Sequence, residues 1–87
     1  MTKTIWKFEV KPHGKVEMPK GAKVLSVGTQ GDGIFVWALV NPNEVDKELR
    51  QINVYGTGHY VDETSKELFL GTVFLHDLVF HVFERLK

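Results

Sequence analysis

Apolar and polar residues alternate along most of this chain with a period of two, and turn-forming residues interrupt them at short intervals. Ile5 to Val10 sets Trp6, Phe8 and Val10 on one side and Lys7 and Glu9 on the other, which predicts a half-buried strand. Lys11-Pro12-His13-Gly14 ends it, because proline fixes φ and glycine supplies the reversal. Lys15 to Met18 and Lys23 to Thr29 predict two further strands, separated by Pro19-Lys20-Gly21. Gln30-Gly31-Asp32-Gly33 is a hairpin signal. The run Ile34 to Val40 is apolar throughout, too short and too β-branched for a helix. It predicts a central strand covered on both faces, with Trp37 buried in its middle. After Asn41-Pro42-Asn43, residues 43–48 fit either one helical turn capped by Asn43 or a plain polar loop. Leu49 to Tyr55, Glu67 to Leu75 and Leu78 to Glu84 complete the set, with His76-Asp77 turning the chain. Gly71 predicts a bulge or a close backbone contact.

The expected fold is therefore all-β. It is a single small antiparallel sandwich or partly open barrel of about seven strands, with at most one short helix. Residues 1–87 are too few for a second core, so one domain is expected.

Composition narrows the functional classes. Eleven basic and eleven acidic residues cancel, so the large basic excess of a general nucleic-acid binder is absent. A small anionic ligand needs only a few local cations and stays open. The chain has no cysteine, which removes disulfides, thiolate catalysis and cysteine-ligated zinc, and fits a reducing cytosol. No apolar run has the length of a membrane helix, and Met1 to Trp6 lack the apolar segment of a signal peptide. A small neutral β domain gains burial by self-association, so a homo-oligomer is expected.

The stretch Val54-Tyr55-Gly56-Thr57-Gly58-His59-Tyr60 carries the most distinctive chemistry. Glycine lets a ligand approach backbone N–H groups, and tyrosine and histidine stack on rings or bond to oxygens. The candidate ligand-binding residues are Tyr55, Gly56, Thr57, Gly58, His59 and Tyr60, joined by Arg50 at the start of the same strand as a partner for phosphate. The plainer reading is that Gly56 and Gly58 only shape a turn on which the tyrosines pack. A surface for another protein explains the same residues, since Tyr and Arg are enriched there too. The glycine pair meets neither the P-loop nor the dinucleotide pattern. His13, His59, His76 and His81 show no metal-ligand spacing, and Ser26 and Ser65 lie in no nucleophile motif. No metal, no cofactor and no catalytic residue is expected; His81 reads as a residue that packs on a sheet face and bonds a neighbour.

Four segments, Lys3-Thr4-Ile5-Trp6-Lys7-Phe8, Val36 to Pro42, Val54 to His59, and Gly71-Thr72-Val73 with Leu78 to Glu84, resemble a family of small proteins encoded by tailed phages and their prophages. The resemblance spans nearly the whole chain. It implies a role like that of phage anti-defence sponges of the anti-CBASS type. These bind cyclic di- or trinucleotide signals of bacterial immunity in the host cytoplasm and do not cleave them. It assigns no contact residues, so the candidate site rests on the residues alone. The alternative is a phage interaction protein or accessory virion part with no small-molecule ligand.

Overall fold

Even- and odd-numbered positions separate because the strands build two sheets with one interior between them. The computed structural model describes residues 2–86, so Met1, at the head of the segment inspected for a signal peptide, lies outside the described residues. Seven strands follow in order: β1 (Thr4–Val10), β2 (Lys15–Pro19), β3 (Lys23–Gln30), β4 (Gly33–Val40), β5 (Lys47–Gly56), β6 (Glu67–Leu75) and β7 (Leu78–Arg85). There is no helix among the described residues, and none long and apolar enough to cross a membrane. One sheet has the order β1-β4-β3 and the other β2-β5-β7-β6, with every pairing antiparallel. β1 lies over β2 and β3 over β6, without pairing into a closed barrel. The all-β sandwich expected from the periodicity is the observed fold.

The core is the set of inward positions. Val10, Val36, Ala38 and Val40 from the first sheet meet Val16, Met18, Ile52, Val73 and Val82 from the second. Phe8, Val24, Val27 and Phe80 pack on the margin of this cluster.

β4 corrects one expectation. It is central in its sheet, but only one face is covered: Val36, Ala38 and Val40 are buried, while Phe35, Trp37 and Leu39 are half-buried on the outer face. A two-sheet sandwich has a single interior, so a continuous apolar run does not imply burial on both sides. Trp37 instead spreads over Gly28 of β3, where a Cβ would stand 3.2 Å from its ring, and faces Phe35 at 6.5 Å between ring centroids. Trp37→Ala is therefore expected to cost about 1–3 kcal/mol, below the 3–5 kcal/mol of a fully enclosed aromatic. Urea denaturation measures this, and a loss above about 4 kcal/mol would mean that the outer face is covered in solution.

Two local features shape the edges. The register shifts between Phe69 and Gly71, so Leu70 joins the core while Phe69 stays outside. A Cβ on Gly71 would stand 2.7 Å from Val27 Cγ1, so the bulge glycine lets β6 and β3 approach. Residues 43–46 form a polar loop instead of a helical turn. Asn43 N–H donates to Asn41 Oδ1 at 3.0 Å and Glu44 N–H to the Asn41 carbonyl at 3.0 Å. Lys47 pairs with Pro19, which draws it into β5.

Candidate functional site

β5 carries Arg50, Tyr55 and Gly56, and its period of two divides them. Arg50 faces inward with Ile52, whereas Tyr55 lies with Gln51 and Asn53 on the outer face of the four-stranded sheet. One strand cannot present both to a single ligand, so the structure does not bring Arg50 together with the loop.

Arg50 is already occupied. Nε and Nη2 donate to the two oxygens of Glu84, and Nη1 donates to Glu48 Oε1 at 2.9 Å and to the Ala22 carbonyl at 2.8 Å. Hydrogen bonding to Glu84 raises its pKa above the ordinary arginine value against the opposing effect of burial. Glu84 is only 6 % exposed and has an inward position on β7. The arginine thus ties β5 to β7 and to the residue before β3. It closes the floor of a cleft of about 750 Å³ at the mouth of the sandwich, beside Val24, Leu68 and Leu86. Two carboxylates match its charge, which makes it a poor partner for phosphate.

The loop end of β5 opens onto a smaller recess of about 210 Å³. Tyr55, Gly56, Thr57, Gly58 and His59 line it, together with Val61, Phe69, His81 and Phe83. Tyr60 does not; its side chain is 99 % exposed. The antiparallel register builds the far wall, since Tyr55 pairs with His81 and Phe69 with Phe83. Phe83 meets Tyr55 edge-on at 5.6 Å and Phe69 at 5.2 Å between centroids.

Hydrogen bonds fix the polar groups. Gly56 N–H donates to His59 Nδ1 at 3.1 Å, and His59 N–H donates to the Gly56 carbonyl at 3.0 Å. Gly58 sits at φ 92°, where a side chain is strained. The loop is therefore a tight turn whose Gly56 N–H is taken, so that group is not free to face phosphate as an anion nest would require. Accepting at Nδ1 leaves the proton of a neutral His59 ring on Nε2. His81 stands between two hydroxyls, Thr57 Oγ1 at 2.9 Å and Thr72 Oγ1 at 3.0 Å.

Tyr55 O–H donates to Glu67 Oε2 at 2.9 Å, and Asn53 Nδ2 donates to Glu67 Oε1 at 2.6 Å. Burial first, and then the bond to Glu67, raise the Tyr55 pKa above its ordinary value. A phenol with a raised folded pKa contributes stability that is fully present below about pH 10 and is lost as pH rises through the folded value. Wild-type protein should therefore lose stability faster than Tyr55→Phe between about pH 9 and 11. Urea midpoints across that range check the sign, and parallel curves would show that the Tyr55 hydroxyl is neither buried nor bonded to Glu67 in solution.

Among the described residues, no three His, Cys, Asp or Glu side chains cluster as metal ligands. His13 Nδ1 accepts from Lys15 N–H, and His76 pairs with Asp32 at 2.8 Å. Residue types alone did not single out Phe69, His81 and Phe83 as site residues, because each alternates like an ordinary strand residue. Their signal was parity: Phe69, His81 and Phe83 fall on the outer face in the observed register. Arg85 lies on that face too. It stands in no ion pair among the described residues, and its charge reaches the Tyr55 hydroxyl.

A family model described as "Domain of unknown function (DUF7352)" matches residues 1–87. The chain belongs to this family. No curated protein and no solved structure matches it. In this member of the family, the matched span contains both the mouth cleft around Arg50 and the aromatic recess around Tyr55.

Proposed function

We propose that this protein is a non-catalytic binding protein, encoded by a phage and working in the host cytoplasm. In this reading it sequesters a cyclic nucleotide immune signal. The observation that supports the reading is the recess itself. Three aromatic rings, Tyr55, Phe69 and Phe83, and two imidazoles, His59 and His81, surround a hollow on a sheet face. Stacking a base on such rings contributes about 1–3 kcal/mol per base. His59 Nε2–H and the Thr57 hydroxyl supply polar contacts at the rim. Arg85 lies on the same sheet face, opposite Glu67 and at the edge of the mouth cleft, and is the cation this reading assigns to phosphate in place of Arg50.

The His81 ring stands between two hydroxyls, Thr57 at Nε2 and Thr72 at Nδ1, so a threonine and not a carboxylate holds the nitrogen opposite Thr57. A triad that activates a hydroxyl uses an anionic third member to stabilise the imidazolium. That absence of a partnering carboxylate favours sequestration over cleavage.

Calorimetry against a panel of cyclic di- and trinucleotides tests the reading. At least one should bind, and heat denaturation of the complex should release it intact. Phe69→Ala and Arg85→Ala should each weaken binding about tenfold or more. Release of a cleaved product would make the protein a hydrolase. No binding to any member would favour a second reading, an interaction surface for a host or virion protein, which the exposed Phe69 and Phe74 also support.

A further inference from the structure

We infer that the mouth cleft is a second binding site, which takes an aliphatic carboxylate: the hydrocarbon chain lies over Leu68 and Leu86, and Lys23 and Arg85 hold the head at the rim. The inference stands apart from the nucleotide reading. It uses neither the recess nor its rings, and Arg85 is the one residue the two share.

The cleft follows from how the strands end. Among the described residues, β7 pairs with β5 only as far as Gln51↔Arg85, while β5 runs back to Lys47. The cleft lies at that step, which is why consecutive residues of both parities, Glu48 to Gln51, line it. Its volume of about 750 Å³ is that of a small-molecule site. Leu68 pairs with Glu84 and so takes an inward position, and Leu86 continues the parity of Val82 and Glu84. Inward residues of a sandwich pack between its sheets, yet these two are 52 % and 47 % exposed. Among the described residues no side chain encloses them. The interior is open here, and an apolar ligand would complete it.

The lining sets the ligand class. None of the described residues around the cleft is aromatic; its apolar walls are the aliphatic side chains of Val24, Leu49, Leu68 and Leu86. Such walls suit a hydrocarbon chain and give a planar ring nothing to stack on. Arg50 closes the floor, but Glu48 and Glu84 accept from it, so the floor holds carboxylates that repel an anion. Lys23 and Arg85 differ from it. Both line the cleft and are exposed, and neither stands in an ion pair among the described residues. Three cations, Lys23, Arg50 and Arg85, face two carboxylates, Glu48 and Glu84, which leaves one positive charge, and it lies at the rim. A ligand with a single carboxylate complements that balance, with its head at the rim and its chain across the leucines. An amine of the same length meets like charge there.

Titration of the full chain with decanoate below its micelle concentration, followed by amide NMR, tests the assignment, with decanol and decylamine as probes of equal chain length. Decanoate should bind saturably, one per chain, with the largest shifts at Val24, Leu68 and Leu86. Decanol should bind about tenfold more weakly for want of the charged head, and decylamine should not bind. Hexanoate should also bind about tenfold or more weakly, because it buries less chain. Lys23→Glu should weaken decanoate binding about tenfold, and Leu68→Ser should do the same without lowering the melting temperature of the free protein. Equal binding of decanoate, decanol and decylamine would overturn the carboxylate assignment. Shifts confined to Phe69, His81 and Phe83 would overturn the placement. No saturable binding of decanoate would overturn the inference, and an acidic, leucine-bearing peptide that bound in its place would give the cleft to a protein partner. The nucleotide reading is untouched by any of these results, since its ligands are measured at the recess.

Discussion

Arg50→Ala is expected to destabilise the protein by about 3–5 kcal/mol, because it strands the Glu84 carboxylate in the interior. A small domain has a net stability of about 5–15 kcal/mol, so this change alone takes a large part of it. The expected loss exceeds that of a surface ion pair, about 0–1 kcal/mol, since Glu84 is buried and loses its bidentate partner. The triple variant Arg50→Met, Glu48→Gln, Glu84→Met removes the three charges of this network together and should recover most of the loss. Urea denaturation of both variants measures the difference. If Arg50→Ala cost less than about 1 kcal/mol, the pair would be behaving as a solvated rim contact. Arg50 was read from the sequence as a ligand cation; this experiment separates that role from that of a clamp.

Gly14→Ala is the second large effect, at about 2–5 kcal/mol. Gly14 lies at φ 77°, a conformation that costs an alanine about 1–2 kcal/mol. A Cβ there would also stand 2.6 Å from the Ile52 carbonyl and 2.5 Å from Gln51 Nε2. The side-chain amide can move, but the carbonyl belongs to the middle of β5. Gly14 further accepts a 2.7 Å hydrogen bond from Ile52 N–H, so shifting the turn to relieve the clash loses that bond. Thermal unfolding of Gly14→Ala beside Gly21→Ala checks the argument. Gly21 has a similar φ of 84° but nothing within 4 Å of a Cβ, so it should suffer the conformational cost without the clash. Equal losses in the two variants would show that only the dihedral matters.

Much of the fold was legible because a strand's side chains alternate with a fixed period and its turns need particular residues. Phe8 and Val10 in β1, and Ile52 and Val54 in β5, face inward as their parity predicts, whereas Trp6 shares the parity of Phe8 but stays exposed outside the core. The Gly31-Asp32 turn joins β3 to β4 with Gly31 at φ 55°. The next hairpin was less legible in its chemistry. His76 and Asp77 both adopt positive φ, a conformation that usually selects Asn-Gly, and the Leu75↔Leu78 pairing imposes it on them.

The sequence by itself determined where the strands run and which residues share a face, because both follow from local geometry. It also marked the Tyr55–Tyr60 turn, since glycines and aromatics after a strand stand out without knowledge of neighbours. Tertiary structure decided which faces are covered and which residues meet across strands. It placed Trp37 outside, since one interior serves both sheets, and committed Arg50 to Glu84, contributed by β7. It also built the recess by setting Phe69, His81 and Phe83 opposite or beside Tyr55. Those pairings depend on strand order and register between segments distant along the chain. Such long-range contacts are set by how the whole core packs, and no local pattern carries them.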